Sequence, residues 1–247
     1  MKKIPFLNEI LFSFGFIAIC IASSNWAKYN NSLQINNIYF HGNEFLTNKR
    51  LKNIPNSIEM DNIHLINLTE ISKLLEKDFF IEAVRASKHF PNKLEIEIIE
   101  REPIAVINID EPLLIDRNGI ILPKNEIANK KLIPFLSGFN QNKNFYNLGK
   151  KTTSKKMQEA IALLKELKIE YPKLYNNLSE LTLNNSNEFV MILLDYPTKV
   201  NLGSKKINNK LKIIQNFESI LKEENLSTFA SIDLRYKNQI ITQEKWW

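Results

Sequence analysis

Leu94-Glu95-Ile96-Glu97-Ile98-Ile99-Glu100-Arg101-Glu102-Pro103 alternates apolar and charged residues at period two until a proline stops it. That rhythm predicts a half-buried strand, with Leu94, Ile96 and Ile98 inward and Glu95, Glu97 and Ile99 outward. Just upstream, Ile81-Glu82-Ala83-Val84-Arg85-Ala86-Ser87-Lys88-His89-Phe90 is a second run of the same kind, and Pro91-Asn92 between the two is a turn signal. The pair reads as a β-hairpin. Glu102-Pro103 marks a boundary after it, because proline cannot donate to a continuing ladder.

Towards the N-terminus, Asn67-Leu68-Thr69 opens a helix over about 69–78 with Ile71, Leu74 and Leu75 on one face. Thr47-Asn48 opens a shorter one over 48–54, and Ile35, Ile38 and Phe40 form a strand that Gly42-Asn43 breaks. The order β-α-α-β-β over 33–101 is a small α+β domain, with helices covering one face of a three-stranded sheet.

Beyond the boundary, strands are expected at 104–109, 113–116 and 120–122, the last two flanking Asp116-Arg117-Asn118-Gly119. A polar loop follows over 140–153. Ser154 opens a helix carrying Met157, Ala160, Ile161, Leu164 and Leu167, stopped near Tyr171-Pro172. Strands at 178–184, 188–194 and 198–202 lead to a helix over 207–223. Two final strands, 228–236 and 239–243, turn at Lys237-Asn238. Residues 102–243 are therefore a β-rich domain with two helices, and 244–247, ending in Trp246-Trp247, form a short tail.

Lys2 and Lys3 precede an apolar run from Ile10 to Ala22 that extends through Trp26-Ala27. Residues 10–27 read as a transmembrane helix, with 1–9 a short cytoplasmic tail and the rest exported by the positive-inside rule. The competing reading is a cleaved signal peptide, with Ala22-Ser23-Ser24 as the small-residue site. Cys20 lies in this segment, so the exported body has no cysteine and cannot depend on disulfides.

Composition narrows the chemistry. The 247 residues include 34 Ile, 32 Asn and 28 Lys but six Gly, three His and one Cys. Too few Cys and His are present for a Cys-rich zinc site, and too few Gly for phosphate-cradling loops. The net charge of +6 could suggest nucleic acid, but Lys outnumbers Arg 28 to 5 and is interleaved with Glu. No basic stripe with aromatics stands out, which argues against a nucleic-acid partner. Gly149-Lys150-Lys151-Thr152 echoes a phosphate loop but has Asn144 where the first glycine belongs. His41 and His89 fall at strand ends, as exposed turn residues. With no nucleophile–base constellation, the expectation is a protein without catalytic residues, metal or cofactor.

The motifs carry a resemblance. Ile38-Tyr39-Phe40-His41-Gly42-Asn43, the segment from Ile81 to Pro91, the run from Leu94 to Pro103, Leu114-Ile115-Asp116-Arg117-Asn118-Gly119 and Ile232-Asp233-Leu234-Arg235-Tyr236 together resemble the FtsQ/DivIB family of cell-division proteins. The resemblance implies a bitopic membrane protein of the bacterial inner membrane at the division septum. It also implies a POTRA domain over 33–101, then a β domain that receives the FtsB subunit of an FtsB–FtsL coiled coil. Further division proteins would meet the POTRA domain. A β domain closing on a strand after a hairpin leaves an edge of unpaired N–H and C=O groups to which a partner strand adds. On that basis Arg235 and Tyr236 are the expected side-chain contacts. Arg235 would form a bidentate pair with a partner carboxylate, and Gln239, Ile240, Ile241 and Thr242 would be the pairing edge. Asp233 is expected to have a structural turn or pairing role, and Leu234 to lie in the core. The alternative function is a soluble exported chaperone or transport factor that holds extended polypeptides with its POTRA domain.

Overall fold

The computed structural model describes residues 5–29, 33–42, 62–124, 132–221, 225–237 and 239–245. The chain divides into two compact units, residues 1–100 and 101–247. The helix expected over 48–54 and the Trp246-Trp247 tail lie outside the described residues.

Helix α1 (Pro5–Tyr29) contains an 18-residue window, Glu9–Trp26, long and apolar enough to cross a membrane. Eighteen residues rise about 27 Å, close to the ~30 Å of a hydrocarbon core. Two of its hydroxyls are returned to the helix itself: Ser13 Oγ donates to the Glu9 carbonyl and Ser23 Oγ to that of Cys20, both at 2.9 Å. Such back-bonding hides polar groups where lipid offers no partner.

The rest of the first unit is built on a three-stranded sheet in the order β1-β3-β2. Strand β1 (Asn37–His41) runs parallel to β3 (Lys93–Glu100), and β2 (Ile81–His89) pairs antiparallel with β3 across the expected hairpin. A parallel neighbour cannot be joined by a tight turn, and the chain reaches β3 only after a helix and β2. Helix α2 (Leu68–Leu75) starts where the Asn67 side chain accepts the Thr69 amide at 3.1 Å. It buries Ile71 and Leu75, while Leu94, Ile96 and Ile98 are buried on β3. Each such side chain contributes roughly 1.5–3 kcal/mol of burial. The charged alternates Glu95 and Glu97 stay on the open face.

The second unit is a nine-stranded mixed sheet in the order β12-β11-β10-β9-β8-β7-β4-β5-β6. Its strands are β4 (Pro103–Ile107), β5 (Leu113–Asp116), β6 (Ile121–Leu122), β7 (Phe135–Ser137), β8 (Leu178–Leu183), β9 (Phe189–Leu193), β10 (Lys199–Gly203), β11 (Phe229–Asp233) and β12 (Ile241–Glu244). Helices α3 (Lys155–Glu170) and α5 (Ile207–Ile220) give Met157, Ala160, Leu164, Leu167, Leu211 and Ile214 to one core with the strand residues. Ser154 N-caps α3, its Oγ accepting the Met157 amide. As expected, α3 stops at Tyr171-Pro172, where Tyr171 leaves the helical region at φ −143° and ψ 64°. The chain restarts at once as α4 (Pro172–Asn176) with proline at the first position, where no amide is needed. The domain therefore has three α-helices among its described residues rather than the two expected. The loop over 140–153 also holds a 3₁₀ turn, Lys143–Phe145, capped by Asn142.

The hairpin at one end of this sheet is organised by a single buried carboxylate. Asp116 is 0% exposed; its Oδ1 accepts the amides of Asn118 (2.8 Å) and Ile120 (2.7 Å), and its Oδ2 takes Arg101 Nη1 at 2.8 Å. Gly119, at φ 82°, closes the turn in the left-handed region. Beyond β6 the chain lays its own backbone along the edge. Ile121 N donates to the Lys150 carbonyl at 3.0 Å, Gly149 N to that of Ile121 at 2.8 Å, and Thr152 N to that of Gly119 at 2.8 Å. The stretch that echoes a phosphate loop is thus an edge cap.

Candidate functional site: the open sheet edge

The opposite end of the sheet is β12. It pairs antiparallel with β11 through Asp233↔Ile241, Ile232↔Thr242, Ser231↔Gln243 and Phe229↔Glu244, with an irregularity between Phe229 and Ser231. Strand β11 in turn lies parallel to β10. The apolar members of β11, Phe229 and Ile232, are buried, and the Phe229 ring sits 5.7 Å from that of Phe217 on α5. All four side chains of β12 are exposed. Among the described residues only β11 pairs with it, so its outer row of backbone groups has no strand partner among them.

The segment between the two strands is fixed by charge. Asp233 Oδ1 accepts the Arg235 amide at 2.9 Å and Arg235 Nε at 3.0 Å, while Oδ2 takes Nη2 at 2.6 Å. Arg235 Nη1 reaches Glu188 Oε2 at 3.3 Å. The hydrogen bond from Arg235 holds the Asp233 carboxyl below the usual carboxylate range, and Asp233 raises the Arg235 guanidinium above its own. Lys210 on α5 donates to the Leu202 carbonyl beside this group; burial pulls its ammonium down, against the attraction of Glu188 and Asp233. Leu234 is buried in the core, its amide on the Asn201 carbonyl at 2.9 Å.

The expected contact residues therefore do not stand alike. Ile241 (48% exposed) and Thr242 lie in β12, and Tyr236 (53% exposed) projects from the connection with Gln239 exposed nearby. Ile240 is half-buried against the core and lies outside the strand. The guanidinium fork of Arg235, expected to meet a partner carboxylate, is turned onto Asp233 of its own chain. Strand β12 starts two residues later than the expected 239–243 because Ile240 is drawn into the core. Gln243, Glu244 and Lys245 thereby join the edge region without having been singled out. His41 Nε2 and His89 Nε2 both lie on Glu95, at 3.1 and 2.7 Å. Among the described residues no group of three His, Cys, Asp or Glu could hold a metal.

An apolar N-terminal helix, a small β-hairpin module with its helix, and a mixed sheet with one capped and one open edge make this a bimodular POTRA protein. Residues 33–101 match the family described as "POTRA domain, FtsQ-type", and residues 105–235 match "Cell division protein FtsQ/DivIB, C-terminal". The chain belongs to the FtsQ/DivIB family of cell-division proteins. It is 29% identical over 197 residues to the cell division protein DivIB of Clostridium botulinum (strain Loch Maree / Type A3), covering 78% of this chain and 70% of that one. It is 22% identical over 247 residues to FtsQ of Geobacter sp. (strain M21), covering 97% and 89%. Against FtsQ of Koribacter versatilis (strain Ellin345) identity is 25% over 206 residues, covering 81% of this chain and only 57% of the relative. The chain thus spans little more than half the length of that relative.

Proposed function

We propose that the chain is a non-enzymatic scaffold of the bacterial division machinery, anchored by α1 in the inner membrane with Lys2 and Lys3 on the cytoplasmic side. Its two modules stand outside the cytoplasm at the septum. There the β12 edge receives an extended segment of an FtsB-like subunit, itself paired with an FtsL-like one, while the POTRA module is left for other division proteins. The observation that carries the reading is the asymmetry of the sheet: β6 is capped by the backbone of 149–152, whereas β12 is exposed along its whole length. Strand addition at such an edge draws affinity from backbone pairing and specificity from alternate side chains. Tyr236 offers an amphipathic anchor beside it.

The test is copurification of the full chain in detergent with the FtsB-like subunit of the same cell. Tyr236→Ala together with Ile241→Pro should abolish capture while circular dichroism shows the chain still folded at the assay temperature. Undiminished capture by that folded variant would end the reading.

A further inference from the structure

Strand β12 puts no side chain into the core, so something else must hold it on β11. On its N-terminal side that is Ile240, packed against the core. On its C-terminal side it is Lys245. The Lys245 ammonium donates to the Ser227 carbonyl at 2.6 Å and to Thr198 Oγ1 at 3.4 Å, and lies 4.9 Å from the centre of the Tyr196 ring. These three partners come from two different places: Tyr196 and Thr198 from the β9–β10 connection, Ser227 from the 3₁₀ turn Leu226–Thr228 that leads into β11. Two of them are fixed. Thr198 and Ser227 are buried, and Thr198 Oγ1 itself donates to the Phe229 carbonyl at 2.6 Å. A carbonyl, a hydroxyl oxygen and an aromatic face are all groups that attract a cation.

We infer that Lys245 is a positioning residue. Its ammonium, seated in the cage of Tyr196, Thr198 and Ser227, locks the end of β12 and keeps the edge flat and ordered before a partner arrives. The inference rests on the reading of β12 as the docking edge. A preformed edge spares the partner the entropy of ordering two strands at once, so loosening the cage should speed partner release more than it slows association. Charge at the cage matters, not stem length alone. Methionine keeps an unbranched apolar chain without the ammonium, whereas arginine restores a cation that reaches the same carbonyl and stacks on the same ring.

The experiment is hydrogen exchange on the full chain in detergent, with release of the FtsB-like subunit measured in parallel. Lys245→Met should raise exchange of the 241–244 amides about tenfold, as expected for losing one charged hydrogen bond. Exchange in β9 and β10 and the unfolding midpoint should stay near the parent. Release of the partner should accelerate several-fold, and Lys245→Arg should return both readouts towards the parent. Unchanged exchange at 241–244 in Lys245→Met overturns the lock. Faster exchange with unchanged partner release keeps the lock but overturns its role in docking, and shows that the partner binds elsewhere. A uniform rise of exchange through the whole sheet overturns positioning in favour of plain stability.

Discussion

The two edges of the nine-stranded sheet are treated in opposite ways. At β6 the side chains are buried, Ile121 at 1% and Leu122 at 0% exposed, and the backbone is covered by residues 149–152. At β12 the side chains are all exposed and the backbone's outer row is uncovered among the described residues. Bare edges invite pairing with other chains, so a protein that caps one and leaves the other has separated stability from availability. The capped edge belongs to the core. The open edge hangs from the core by Ile240, by the Asp233–Arg235 pair and by Lys245.

Proline placed at matching isoleucines should expose that division. Ile121→Pro removes the amide that donates to Lys150 and a fully buried side chain together. A loss of about 5 kcal/mol or more is expected, enough to leave the unit unfolded in a urea titration. Ile241→Pro removes an exposed side chain at the rim and one amide of the ladder with Asp233, so its cost to folding should be smaller, about 1–3 kcal/mol. Its cost to partner capture should be complete. Equal destabilisation by the two prolines would mean that the edges are not different in kind.

Asp116→Ala comes next in size. Its carboxylate satisfies two amides of the turn and the Arg101 guanidinium from a fully buried position. Removing one partner of a buried pair costs about 3–5 kcal/mol. The folded fraction should still bind the FtsB-like subunit with parental affinity, since the loss lies at the far end of the sheet order. Titration by surface plasmon resonance at low temperature, scaled to the folded fraction, would check this.

The hairpin Asp116 organises shows what could be read from the residues and what could not. Period-two alternation from Leu94 to Ile98 and the Asp116-Arg117-Asn118-Gly119 turn are local signals, and both elements appear where the spacing puts them. That Arg101 closes onto Asp116 is not local: 15 residues separate them, and only the sheet brings them together. Strand β7 is three residues long with Phe135 half-exposed, too short for any period to declare itself. At the candidate site the Asp233-Leu234-Arg235-Tyr236 motif was visible. The use of Arg235 was not, because a guanidinium next but one to a carboxylate serves its own turn before it serves a partner. Lys245 had no signal at all, as one lysine among 28 in the chain. Its role depends on two loops that meet only in the folded sheet.

The smallest effect expected is electrostatic and sits at the open edge. Hydrogen bonding from Arg235 holds the folded-state pKa of Asp233 below its ordinary value of about 3.9. A carboxyl depressed on folding contributes stability that is fully present above the unfolded value and is lost as pH falls through the folded one. With the guanidinium partly in solvent, that contribution should stay under about 1 kcal/mol. Unfolding midpoints of the parent and of Asp233→Asn should therefore differ slightly but measurably from pH 7 to pH 5. The gap should begin to close as pH drops below about 4 and vanish once pH has fallen through the lower folded-state value, where the folded parent too is neutral at this position. A gap that persists unchanged to pH 3 would mean that the charge of Asp233 is not what holds Arg235 against the connection. The open edge would then owe its order to Ile240 and Lys245 alone.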